Sequence, residues 1–255
     1  MNLRGAAQVN KPERSYIPDF LNHHAPKGGL VLEIGPGAAG NLLFAKDLGF
    51  RTATLDVSTW NNDYFKNVCE FDHVHQNMES IPDDSCDAVI ATHVIEHVSR
   101  PLEFLKAIRG KMRSGAKLLI GTPNCDFPYT TLFGNRWWVY GVDDHVSFFN
   151  CCNLRLALDE AGFRNTITSS HNTNGGHSLS WFLKSGIRGF PYGLRSRDAR
   201  EPNASLTAVA GNRESTADCG CKQNVRQKFK NVLELPFKWL TDAGYGYELV
   251  ATAEK

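Results

Sequence analysis

Residues 31–40 read Val31-Leu32-Glu33-Ile34-Gly35-Pro36-Gly37-Ala38-Ala39-Gly40. The apolar run from Leu30 to Ile34 predicts a short strand that stops at Gly35. A G-x-G-x-x-G turn follows, and Asn41 to Gly49 predicts a helix closed by glycine. Glycines in such a turn let the backbone reverse tightly and let a ligand approach with no Cβ in the way. The next predicted strand, Arg51 to Asp56, ends on a carboxylate 21 residues after Gly35. A carboxylate there can accept hydrogen bonds from both hydroxyls of a ribose. A dinucleotide and an adenosyl sulfonium both fit these features. Glu33 separates them, because negative charge beside the turn favours a ligand with an ammonium group and opposes a pyrophosphate.

The pattern extends in both directions. Upstream, residues 12–24 predict a helix with Tyr16, Ile17, Phe20 and Leu21 on one face. Downstream, Thr59–Val68 reads as a helix, Phe71–His75 and Asp87–Ala91 as strands, Pro101–Met112 as a helix opened by Ser99, and Lys117–Gly121 as a fifth strand. Short strands alternating with helices make βαβ units, hence an α/β fold with a parallel, doubly wound sheet. Right-handed crossovers align the loops after residues 34, 56, 75, 91 and 121 along one edge, where such sheets bind ligands. Residues 122–149 read as a long loop, too rich in aromatics for disorder and therefore an ordered lid or pocket wall. Asn153–Ala161 predicts a helix, and Phe163–Ser170 and Tyr247–Ala253 predict two further strands.

The 255 residues suit one large α/β domain or two small ones, and their net charge of +1 argues against a dedicated nucleic-acid binder. No apolar run approaches the ~18 residues that span a bilayer. The first residues lack the apolar stretch of a secretory signal, so a cytoplasmic location is expected. The seven cysteines show no paired spacing of the zinc-site kind, and no metal is expected. Residues 195–230 are polar and aperiodic, carrying eight Lys/Arg against four Asp/Glu, and read as a mobile basic segment.

Three stretches now carry a resemblance: LEIGPGAAG (32–40) with LDVS (55–58), NMESIPDDSCDAVIATHVIEHV (77–98), and RSGAKLLIGTPN (113–124). Together they resemble the class I S-adenosylmethionine-dependent methyltransferases, of the type 11/23 kind that is similar to ubiquinone- and menaquinone-pathway enzymes. The resemblance covers residues 29–165 closely. It implies a Rossmann-like seven-stranded sheet in the order 3-2-1-4-5-7-6 with strand 7 antiparallel. Residues 12–28 then form an N-terminal helical lid, 29–170 the cofactor-binding core, 171–245 an insertion between strands 6 and 7, and 246–255 the last strand. It also implies S-adenosyl-L-methionine as cofactor. Gly35 and Gly37 would lie under its methionine and ribose portions, and Glu33 would organise the amino group. Asp56 would bind the ribose hydroxyls and Val57 would pack on adenine. Asn77 and Met78 would border the adenine, with Asn77 standing where the family commonly has Asp, and His93 would lie near the sulfonium. Tyr16 is expected to close over the cofactor.

On the acceptor side, methyl transfer to a hydroxyl requires a base, and histidine is the commonest. His145, in DDHVSFF (143–149), is the candidate, with Asp143 or Asp144 orienting its ring. Trp137, Trp138, Tyr140 and Phe149 would line a flat, apolar pocket for a small-molecule acceptor. Glu96 and His97 are expected to build a turn rather than to act as an acid–base pair. The aromatic and basic flanks of 171–245 suit either a cap over the site or contact with a membrane surface or lipophilic acceptor. Methylation at N or C by proximity alone, and a cofactor-binding regulatory subunit without catalysis, are the alternatives.

Overall fold

The computed structural model describes residues 12–171, except 60, 128–129, 131–137 and 143, and residues 247–255. Seven strands make one sheet: β1 (Leu30–Ile34), β2 (Arg51–Leu55), β3 (His73–His75), β4 (Cys86–Thr92), β5 (Met112–Pro123), β6 (Arg164–His171) and β7 (Glu248–Glu254). Their order is β3-β2-β1-β4-β5-β7-β6. The pairings among β1 to β5 are parallel, and β7 runs antiparallel to both β5 and β6. The implied topology and strand order are thus present.

Every residue of β1 is buried, as a central parallel strand covered on both faces requires. Alternation along it assigns Leu30, Leu32 and Ile34 to one face and Val31 and Glu33 to the other. The first face packs with Val89, Leu118 and Ile120 against Leu105 and Ile108 of α3 (Pro101–Lys111) and Leu154 and Leu158 of α4 (Cys151–Glu160). The second packs Val31, Ile90 and Leu119 against Ile17, Phe20 and Leu21 of α1 (Ile17–His24) and Leu42 of α2 (Gly40–Asp47). Each fully buried leucine or isoleucine contributes about 1.5–3 kcal/mol by leaving water. Glu33 is therefore a carboxylate on an apolar face, beneath the helix that follows the glycine turn.

Several boundaries depart from the sequence reading. Ser99 does not open α3; Arg100 precedes it without a side-chain cap and Pro101 occupies the first turn, where a missing N–H costs nothing. Thr59–Val68 yields a π-helical turn over Tyr64–Val68, because the Cys69 amide reaches back five residues to the Tyr64 carbonyl at 2.9 Å. β3 starts late because the Asp72 carboxylate takes the Thr52 amide (2.7 Å) and hydroxyl (3.1 Å), replacing the ladder there. α4 begins at Cys151, ahead of the expected Asn153, under a capping box in which Asn150 and Asn153 satisfy each other's amides. β5 continues through Thr122 and Pro123, the start of the expected loop, because both pair with β7. Trp137, Asp143 and the expected insertion beyond residue 171 lie outside the described residues, as does the side chain of Trp138. Among the described residues, no helix is long and apolar enough to cross a membrane.

Candidate active site

Parallel pairing brings the carboxyl ends of β1 to β5 to one edge. Antiparallel β7 brings its amino end, Glu248, to the same edge opposite Pro123. The site assembles there.

At β1, the chain turns at Gly35 with φ +64° and Gly37 with φ +54°. A Cβ at Gly35 would stand 2.7 Å from Val94 Cγ2, so both conformation and space require glycine. Glu33 is 1% exposed. Its Oε1 accepts a hydrogen bond from Asn41 Nδ2 at 2.8 Å, while Oε2 is buried with no hydrogen-bond partner among the described residues. Burial pushes the carboxyl up to about 8, against the lowering effect of Asn41. An orphaned acceptor beside an open glycine turn fits a cationic ligand group.

At β2 and β3, Asp56 Oδ1 accepts from the Ser58 amide at 2.8 Å, which fixes the carboxylate beyond the strand. Val57 is 87% exposed, available to pack on a ligand. Asn77 Oδ1 accepts from the Ser80 amide at 2.9 Å, capping the turn Met78–Ser80. The oxygen expected to meet an adenine amino group is thus already engaged, although a carbonyl retains a second lone pair. Met78 packs part-buried against the core.

At β4, His93 has φ +55°, an uncommon conformation for a residue with a Cβ. It places the ring between two buried carboxylates. Nδ1 lies 3.2 Å from Glu96 Oε1 and Nε2 lies 3.2 Å from Glu248 Oε1. Burial would lower its pKa, but the two carboxylates prevail and raise it to about 9. His93 is therefore an imidazolium at neutral pH. Burial alone would raise the Glu248 carboxyl, yet His93, Tyr16 and Arg14 together hold it below its ordinary value. The Tyr16 hydroxyl donates to Glu248 Oε1 at 2.6 Å and Arg14 Nε at 3.3 Å. Tyr16 is thus buried and tied to the sheet edge. Gly121 makes this approach feasible, since a Cβ there would meet the Tyr16 hydroxyl at 2.7 Å and Glu248 Oε1 at 2.9 Å.

Glu96 connects this cluster to the segment expected on the acceptor side. Its Oε2 accepts from the Thr122 hydroxyl at 3.0 Å. Its backbone carbonyl accepts from the Val146 and Ser147 amides at 2.8 and 3.0 Å, which anchors the segment carrying His145. His145 Nδ1 donates to the Val139 carbonyl at 2.9 Å. A carbonyl can only accept, so the neutral ring keeps its free lone pair on Nε2. Burial lowers the pKa of His145. The ring stands edge-to-face on His97 with centroids 4.7 Å apart.

Two expectations change here. Asp144 lies on His97, through its carbonyl (3.1 Å) and carboxylate (3.4 Å), while the Val139 carbonyl fixes His145. Phe149 is 3% exposed within the hydrophobic core, where a bridge to Asn124 holds it, rather than on an open wall. Tyr140 packs at 4.9 Å against Phe148. Glu96, His97 and His145 bring one donor atom each within 4.8 Å of one another.

Sequence reading missed Asn41, Arg14 and Glu248. Glu248 left a trace, as a lone carboxylate in the apolar strand YELVATA, but an antiparallel strand offers its first residue to the ligand edge, where parallel logic does not look.

A family model described as a methyltransferase domain matches residues 9–167. A search of curated proteins returns no match. Among solved structures, an S-adenosylmethionine-dependent methyltransferase from Archaeoglobus fulgidus is 18% identical with a TM-score of 0.57, over 94% of this chain and 92% of the other. Phosphoethanolamine N-methyltransferase 2 of Haemonchus contortus, in complex with S-adenosyl-L-methionine, is 15% identical with a TM-score of 0.52, over 94% of this chain and 52% of the other.

Proposed function

The chain belongs to the methyltransferase-domain family and is an S-adenosylmethionine-dependent enzyme, and from that premise we propose that it methylates a hydroxyl of a small-molecule acceptor with His145 as general base. When bound, the cofactor supplies a methyl group already activated on a sulfonium. The chain supplies binding, alignment and proton removal. Glu33 would hold the ammonium group, Gly35 and Gly37 would admit the methionine and ribose, and Asp56 would take the ribose hydroxyls. Val57, Asn77 and Met78 would flank the adenine. His93 would stand at the sulfonium end, held between Glu96 and Glu248.

The observation that carries the base assignment is the Nδ1 bond of His145 to the Val139 carbonyl. It fixes the tautomer with Nε2 unprotonated, and the lowered pKa keeps the ring neutral at pH 7. Glu96 holds that segment at the same edge as the glycine turn. Removing a general base costs about 10²–10⁴-fold in rate. His145→Gln should therefore lower kcat within that range while leaving the dissociation constant for the cofactor within twofold. In the wild type, kcat should rise with pH and reach its plateau below the ordinary histidine value. Full turnover of a hydroxyl acceptor by His145→Gln would refute the assignment.

A further inference from the structure

A cavity of about 290 Å³ opens beside the π-helical turn and the end of β3. Asn62 and Lys66 line it from the turn and the residues before it, Val74 and His75 from the strand, and Asn77 and Ser80 from the loop beyond. Of the residues proposed above to hold the cofactor, Asn77 alone lines this cavity; Asp56, Val57 and Met78 do not. The cavity therefore begins where the expected adenine contacts end, at the residue expected to meet the adenine amino group.

On that placement of the cofactor, we propose that the cavity binds a hydroxylated substituent on the adenine amino nitrogen, so that the chain accepts adenosyl ligands carrying one hydroxyalkyl group there. Three observations converge. The first is the hydrogen count at that nitrogen, which carries two. Asn77 Oδ1 already accepts from the Ser80 amide at 2.9 Å, so its remaining lone pair takes one of them. The other can be replaced without losing that bond. The second is an orphaned acceptor. Asn62 is 9% exposed, and its Oδ1 is buried with no hydrogen-bond partner among the described residues. A buried acceptor without a donor is costly, and a hydroxyl entering the cavity supplies the donor. The third is the state of His75. Ser80 Oγ donates its proton to the Asn77 carbonyl at 2.8 Å, so at 3.0 Å it can only accept from His75 Nδ1. Burial, together with His73, lowers the pKa of His75, and the neutral ring keeps its lone pair on Nε2. Two lining residues thus offer acceptors, which suits a hydroxyl better than an alkyl group or a carboxylate. Lys66 is exposed and keeps its ammonium group in water. Space is ample, since a cavity of about 150 Å³ already holds benzene.

Isothermal titration calorimetry on the full chain tests this with three ligands. They are S-adenosylhomocysteine, its N⁶-(2-hydroxyethyl) derivative, and its N⁶,N⁶-dimethyl derivative, which keeps neither hydrogen. The hydroxyethyl derivative should bind the wild type at least as tightly as the parent. The dimethyl derivative should bind about tenfold more weakly, because Asn77 loses its donor. Asn62→Leu, close in size but without an acceptor, should weaken the hydroxyethyl derivative about three- to tenfold and leave the parent unchanged. If that variant does not fold, the wild-type comparison decides alone. A hydroxyethyl derivative weaker than the parent, a dimethyl derivative as tight as the parent, or an equal effect of Asn62→Leu on both ligands would overturn the proposal. A wild type that binds none of the three would overturn the cofactor assignment itself.

Discussion

Glu33 gives the most demanding prediction, because its protonation must change when the cofactor binds. Buried on an apolar sheet face with one oxygen unpartnered, its carboxyl is pushed up to about 8. At pH 7 it is then about nine-tenths protonated in the free enzyme. An ammonium group placed on the orphan oxygen favours the carboxylate and drives its pKa down. Binding below pH 8 must therefore expel about 0.9 proton per ligand at pH 7. Affinity should rise about eight- to tenfold from pH 6 to pH 7 as the free enzyme loses that proton. Calorimetry in buffers of different ionisation enthalpy measures the released proton directly, and titrations at several pH values measure the slope. Glu33→Gln keeps the shape and an acceptor for Asn41, but has no proton to release. It should bind about tenfold or more weakly at pH 7.5, with the pH dependence between 6 and 7 gone. His93 cannot mimic the signal, since its two carboxylates raise it to about 9 and it stays charged throughout this window. A wild type that releases no proton, or a Glu33→Gln variant that keeps the slope, would refute the reasoning.

Other outcomes follow from the same geometry. Gly121→Ala places a Cβ against the Tyr16 hydroxyl and Glu248, so it should loosen α1, lower Tm and make residues 12–24 susceptible to limited proteolysis. Normal protection of α1 would show that the Tyr16–Glu248 contact is dispensable. Asn150→Ala removes the cap of α4 and should cost about 0.5–2 kcal/mol in urea unfolding, with cofactor affinity unchanged. A loss above that range would mean that the residue does more than cap.

The fold was legible because its signals are local and repeated. Strand β1 matches the reading from Leu30 to Ile34, since an apolar run that meets a glycine turn has few alternatives. Asn150 was harder to read, because a cap competes with its neighbours by a single hydrogen bond. The candidate cofactor residues on loops after parallel strands could be named by position, since topology sends those loops to one edge. Arg14 and Glu248 were not, because their meeting joins residues 234 apart through an antiparallel strand and a segment preceding the first helix. Tautomers are equally invisible in sequence. His145 could be named from its aromatic surroundings, but only the Val139 carbonyl tells which nitrogen is free. The same nonlocality moved Asp144 from His145 to His97.

Transfer of a ¹³C-labelled methyl group tests the central claim most directly. The enzyme is incubated with S-adenosylmethionine labelled at that methyl and a mixed panel of alcohols, phenols, amines and activated-methylene compounds. The carbon chemical shift of the product then identifies the atom that received the methyl. The account predicts an O-methyl resonance that disappears with His145→Gln; an N-methyl or C-methyl resonance, unaffected by that substitution, would contradict it.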